Sequence, residues 1–157
     1  MLNIQNFAFF VLFLFALSAT QHVQAQQALN YDAPLKASAK YQVTEFIKKS
    51  YNGNPELFKI AQTDLNNDGI NEYILKRLSC IKANNSCSHL ILGETNNNMR
   101  LLSTIKARHI MLAGTSSFGV NDLLVFQNDI NDYDFDIYMW SSTEKMYILE
   151  KQDKKDL

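Results

Sequence analysis

Apolar positions change their rhythm near residue 55. Before it, Leu35, Ala39, Val43, Phe46 and Ile47 recur at helical spacing among polar residues. Asp32 with Pro34 reads as the cap and early proline of that helix, and Asn52-Gly53-Asn54-Pro55 breaks it just after Tyr51. Lys48 and Lys49 fall in its last turn, where cations complement the helix dipole. From Leu57 onward, short runs rich in Ile, Leu, Val, Phe and Tyr alternate with Asn, Asp, Gly and Ser. They predict strands near 57–63, 72–79, 88–93, 99–105, 107–112, 121–127, 134–140 and 145–150. Turns are expected at Asn67-Asp68-Gly69, Asn84-Asn85-Ser86, Asn96-Asn97-Asn98 and Ser142-Thr143. The expected fold class is α+β: one amphipathic helix packed on an antiparallel β meander. Its stripe belongs to the core, because a lone helix beside a sheet must bury one face. Gln26 to Tyr31 reads as a loose start.

The first residues alter the compartment. Phe7 to Ala19 is apolar but short for a membrane span, and Val23-Gln24-Ala25 offers a small-x-small cleavage signal. Residues 1–25 therefore read as a signal peptide, although no Lys or Arg precedes the apolar run; an uncleaved anchor is the alternative. Cleavage after Ala25 of the 157-residue chain leaves 132, one α+β domain over 26–157. The expectation is a periplasmic or secreted protein that is not integral to the membrane once cleaved. A formal charge of −1 provides no basic excess for a phosphate backbone, which argues against nucleic acid as partner. In an exported chain, Cys80 and Cys87 most simply form a disulfide, contributing about 2.5 kcal/mol in the chain-entropy picture. A zinc site from Cys80, Cys87 and His89 lacks a fourth ligand.

Chemistry concentrates in Thr63 to Leu75. Asp64, Asn66 and Asp68 alternate, Gly69 follows, and Glu72 comes three residues later, so a short curl can turn hard oxygens toward one centre, with the Ile70 carbonyl completing the set. The expected cofactor is a structural Ca²⁺. An EF-hand would carry Glu where Leu75 stands and would have helices on both sides. The loop resembles instead the strand-loop-strand calcium loops of FG-GAP and VCBS-type repeats, D-x-[DN]-x-[DN]-G-x-x-[DE], and that resemblance implies Asp64, Asn66, Asp68, Ile70 and Glu72 as ligands. Glu72 departs from the commoner Asp at the ninth position. A plain Asp-Gly hairpin turn is the competing reading, but it calls for neither Asp64, Asn66 nor Glu72. The order of acidic loop, two-Cys hairpin and later glycine also resembles a group of small exported bacterial proteins, which implies compartment and shape and no activity.

A weaker echo lies fifty residues on: Gly119-Val120-Asn121-Asp122-Leu123-Leu124-Val125 repeats the character of Gly69 to Leu75, while Gly114, Ser116 and Phe118 replace the first three ligand positions. Asp129, Asp132, Asp134 and Asp136 could form a second ion site, but no glycine follows them and their alternation with Tyr133, Phe135 and Ile137 suits a half-buried strand. Gly114 to Gly119 reads as a turn, lacking both phosphate-loop and nucleophile-elbow spacing. His89 and His109 have no partner indicated by spacing and read as surface or satisfied core residues. Glu72 and Asp122 could be paired for sugar hydrolysis only on paper. These features favour a non-enzymatic binding module with a structural calcium loop, of inhibitor or immunity type, whose partner is another envelope or secreted protein. The alternative is an envelope-acting or glycan hydrolase using acids between Asp129 and Asp136.

Overall fold

The strands fall into two sheets, and the chain passes from one to the other at a single residue, Arg108. The computed structural model describes residues 26–51, 53–83, 86–95, 98–128, 130 and 134–150. The expected signal peptide, 1–25, lies outside them, as do Asp129 and Asp132. In chain order the elements are β1 (Gln27–Ala28), α1 (Ala37–Tyr51), β2 (Phe58–Thr63), β3 (Glu72–Arg77), α2 (Leu78–Ala83), β4 (Cys87–Thr95), β5 (Asn98–Ala107), β6 (His109–Ser117), β7 (Val120–Phe126), β8 (Phe135–Ser141) and β9 (Met146–Leu149). The class is α+β and every strand pairing is antiparallel. The strands do not make one meander. They form a four-stranded sheet, β2-β3-β4-β5, and a five-stranded sheet, β1-β6-β7-β8-β9. β5 stays with β4 through Ala107, whereas the Arg108 amide already donates to the Phe126 carbonyl at 2.8 Å, so the chain changes sheets there.

Burial explains why two layers win over one. Ala61, Ile74, Ile91 and Ile105 of the first sheet meet Ile110, Leu112, Leu123 and Val125 of the second in one core, with Tyr147 at its edge. At about 1.5–3 kcal/mol for each fully buried large aliphatic side chain, this seam outweighs anything a single sheet with one wet face would gain. The opposite face of the first sheet is covered by α1, through Ala39, Val43 and Ile47 against Tyr73, Leu75, Leu90 and Leu92. β3 is therefore buried on both faces, while β5 alternates buried and exposed over residues 103–107. Leu35 and Phe46 pack against the same helix-side cluster, as the helical stripe predicts.

Several boundaries differ from expectation. The helix begins at Ala37, and Asp32 is not its cap; its carboxylate instead meets Lys59 at 2.6 Å. Gln27 and Ala28, read as loose, pair with Leu112 and Met111 on the edge of β6. The run expected to stay extended to residue 79 turns helical at Leu78, where Leu, Ile, Lys and Ala are adequate helix formers. Cys80 in that helix is disulfide-bonded to Cys87 at the start of β4, with Cα atoms 5.9 Å apart. Gly114 to Ser117 belongs to β6, leaving only Phe118 and Gly119 to turn.

The echo is structural and has a consequence for stacking. Gly69 (φ +85) and Gly119 (φ +79) both adopt left-handed backbone, Gly119 directly before β7 and Gly69 in the loop that leads into β3. Yet Ile74 faces the seam, whereas its counterpart Leu124 faces away from it with Ala113 and Phe126. The front of one sheet packs on the back of the next, so the copies stack like successive units of a repeat rather than face to face.

Candidate metal loop and its surroundings

The acidic segment joins β2 to β3, so strands flank it on both sides. Gly69 and Asn67 (φ 58) supply the left-handed residues that let eight residues, 64–71, curl between antiparallel neighbours. The side chains turn inward. Asp64 Oδ1 and Asn66 Oδ1 both accept from the Asp68 amide, at 3.2 and 2.9 Å, and Asp64 Oδ2 accepts from Gly69 N at 2.8 Å. Asp68 Oδ1 accepts from Ile70 N at 2.7 Å, and its Oδ2 accepts from the side-chain Nδ2 of Asn66 at 3.0 Å. Glu72 Oε2 accepts from Leu65 N at 2.7 Å. Asp64, Asn66, Asp68 and Ile70 thus share one curl, and Glu72, the first residue of β3, reaches back to it through the Leu65 amide. Among the described residues, however, no group of three or more His, Cys, Asp and Glu side chains is poised around a point for a metal. The loop oxygens are occupied by the loop's own amides instead.

The donor set fits a hard dication on one observation. Glu72 is only 7% exposed and is paired with no Lys or Arg among the described residues. Burial pushes its carboxyl up to about 7, against the opposing pull of the Leu65 amide, and the charges of Asp68 and Asp64 push further in the same direction. A cation held by the same oxygens would reverse that cost. Asp64, Asn66, Asp68 and Glu72 would hold it with their side chains, and Ile70 with its carbonyl.

The loop is also bolted to the second sheet. The Asn121 amide donates to the Leu65 carbonyl at 2.7 Å, and Leu65 itself is 1% exposed in the inter-sheet core. The Tyr147 hydroxyl donates to the Asn121 carbonyl at 2.8 Å. Burial first, then the carboxylates of Glu72 and Asp122, raise that phenol far above its usual range. Between loop and second sheet lies a cleft of about 340 Å³ lined by Thr63, Asp64, Asn67, Ala113 and Asn121. A larger one, about 670 Å³, lies beside the disulfide and is lined by Phe58, Arg77, Ser88 and Lys106.

The other acids separate. Glu72 shares the seam-facing parity of Ile74, whereas Asp122 shares the outward parity of Leu124 and Phe126, so the two start on different sheets and different faces. Asp122 is 3% exposed and its Oδ1 has no hydrogen-bond partner among the described residues. Asp134 is exposed before β8 and Asp136 half-buried within it.

Sequence reasoning missed the other end of the seam. Lys59, Lys76 and His89 are successive cross-strand partners on β2, β3 and β4. His89 is fully buried: Nδ1 lies 3.0 Å from the Cys87 carbonyl, while Nε2 has no hydrogen-bond partner among the described residues. Burial, then the Lys76 charge, lowers its pKa to about 4, so the ring is neutral. Lys76 is 8% exposed and donates to the Arg108 carbonyl. The signal was present in parity, since Lys76 lies two residues beyond seam-facing Ile74, but only the strand register aligns it with His89.

Ser103 and Phe118 were also missed. Ser103 bridges the two sheets: Oγ accepts from Tyr147 N at 2.7 Å and donates to Tyr147 O at 3.4 Å. It thereby occupies the outward backbone groups of edge strand β9. Phe118 is 78% exposed and left-handed (φ 53), the first of two turn residues between Ser117 and Val120. Two central residues with positive φ are the pattern of a type I′ hairpin, where Asn is favoured and a bulky aromatic is not.

No family model, no curated protein and no solved structure matches the chain. Among the described residues no helix is long and apolar enough to cross a membrane.

Proposed function

We propose that the protein is a non-enzymatic binding module of the periplasm or the secreted fraction. Its acidic loop holds a structural Ca²⁺ through Asp64, Asn66, Asp68, Ile70 and Glu72. The loop end of the sandwich engages another envelope or secreted protein, in the manner of an inhibitor or immunity protein. The observation that carries this reading is Phe118. Left-handed backbone costs an ordinary side chain about 1–2 kcal/mol, and at 78% exposure the ring recovers little of that by packing within its own fold. A rigid hairpin holding an exposed aromatic outward suits the central anchor of a protein interface. Ile70, half exposed on the acidic loop, adds a second apolar tip at the same end, because the Asn121 to Leu65 bond ties hairpin and loop together. Calcium would act by stiffening that pair, not by chemistry.

Two measurements test the two parts. Binding to the native state must raise stability by mass action. A melting temperature that is the same in excess chelator and in millimolar calcium reduces the loop to a turn. For the partner, immobilised protein is exposed to envelope extract and compared with Phe118→Asn. The reading expects at least one protein retained by wild type in calcium and released from the variant. Identical retained sets on both columns would remove it.

A further inference from the structure

The end of the seam opposite the acidic loop is basic. Cross-strand like charges repel, yet Lys59 and Lys76 sit directly opposite each other, with His89 next in the row. Asp32 answers Lys59 at 2.6 Å. Lys76 has no such answer among the described residues: it is 8% exposed and donates only to a neutral carbonyl, Arg108 O. An ammonium carries three donors, so two remain. Burying a charge without a counter-charge is costly, and His89 avoids the cost by staying neutral.

Beside Lys76 the two sheets part in a cleft of about 330 Å³ between the β2 edge of one and the β1 edge of the other. The Tyr31 hydroxyl is buried there with no hydrogen-bond partner among the described residues. One wall is apolar, formed by Ile110 and Ile130. With Lys59 neutralised by Asp32, the excess is one positive charge, an unused phenol donor and a hydrocarbon wall. That combination matches a singly charged carboxylate carrying a short apolar body better than it matches a dianionic phosphate.

We propose that this cleft is a binding site for a small organic monocarboxylate. The carboxylate lies against Lys76 Nζ and Tyr31 Oη, and the hydrocarbon part against Ile110 and Ile130. The site is independent of the acidic loop and of any protein partner.

Butyrate is the probe, with butyramide as its uncharged counterpart and inorganic phosphate as the competing anion, each titrated into the purified protein and followed by NMR shifts of cleft residues. The expected result is saturable shifts with butyrate, little response to butyramide and weaker binding of phosphate. Lys76→Met should weaken butyrate by about tenfold or more, the size of a lost charge-assisted hydrogen bond. Tyr31→Phe, which removes only an unpartnered hydroxyl and so keeps the fold, should weaken it several-fold; it carries the test if the lysine variant does not fold. Absence of butyrate-dependent shifts, equal binding of butyramide, tighter binding of phosphate, or unchanged affinity in Tyr31→Phe would each overturn the assignment.

Discussion

Replacing His89 by Leu should remove much of the protein's sensitivity to mild acid. The ring is fully buried on β4, faced by Lys76 across the strand pair and influenced by His109 from the second sheet. Its pKa falls from 6.5 to about 4, mainly because burial penalises the charged form. The sign follows from proton counting. Between those two values the unfolded chain binds a proton that the folded one refuses, so stability is complete above pH 6.5 and drains away as pH falls toward 4. At about 1.4 kcal/mol per pH unit, the loss reaches about 2.5 kcal/mol by pH 4.5, a large share of an ordinary domain's stability. Urea unfolding at pH 7 and pH 4.5 would measure it in both proteins. Carboxylate titrations shared by wild type and His89→Leu cancel in the difference between them. The variant should lose about 2.5 kcal/mol less than wild type on acidification. If both lose the same amount, the ring is not kept neutral by the fold and the account of the basic row is wrong.

Other expectations follow from the same structure. In chelator, burial of Glu72 has the opposite sign. A carboxyl raised from 4.5 to about 7 withdraws up to about 3 kcal/mol as pH climbs through that interval. Glu72→Gln should abolish this loss, and calcium, which favours the ionised carboxylate, should abolish it in wild type; a pH profile that differs by nothing between wild type and Glu72→Gln in chelator would contradict it. Ser103→Ala should cost about 1–3 kcal/mol in thermal or urea unfolding, because it strips the Tyr147 amide of its acceptor inside a buried strand contact; a neutral result would mean that the bridge between β5 and β9 is not needed. Phe118→Asn should leave stability within about 1 kcal/mol of wild type, since relief of left-handed strain offsets the little packing lost, while partner retention disappears. A large destabilisation would show that the ring supports its own fold.

Local pattern alone was enough for most elements, because strand and helix periods are properties of neighbouring residues. The run of Ala39, Val43 and Ile47 predicts a buried helix face, and the eight predicted strand segments correspond in order to β2 through β9, although β6 runs on to Ser117 through residues that read as a turn. The acidic curl between two strands was equally legible, since alternating oxygens before a glycine are a contiguous signal. Partition into sheets was not, because nothing near Arg108 states whether β6 will pair with β5 or begin a new layer. That choice is made by the area two faces bury against each other. The short helix at Leu78 and the pairing of Gln27 with Leu112 were missed for the same reason: each depends on a distant segment to hold it.

Charge placement divides in the same way. The sequence by itself determines that Asp64, Asn66, Asp68 and Glu72 lie close together along the chain. Only tertiary structure sends Glu72 into a buried seam, bolts Leu65 to Asn121, and sets Lys59, Lys76 and His89 side by side at the far end. Those residues are far apart along the chain, and whether a lysine or histidine is solvated or buried depends on register and on the layer above it. A shift of one residue in pairing would turn the whole basic row out to water, which no reading of neighbours along the chain can foresee.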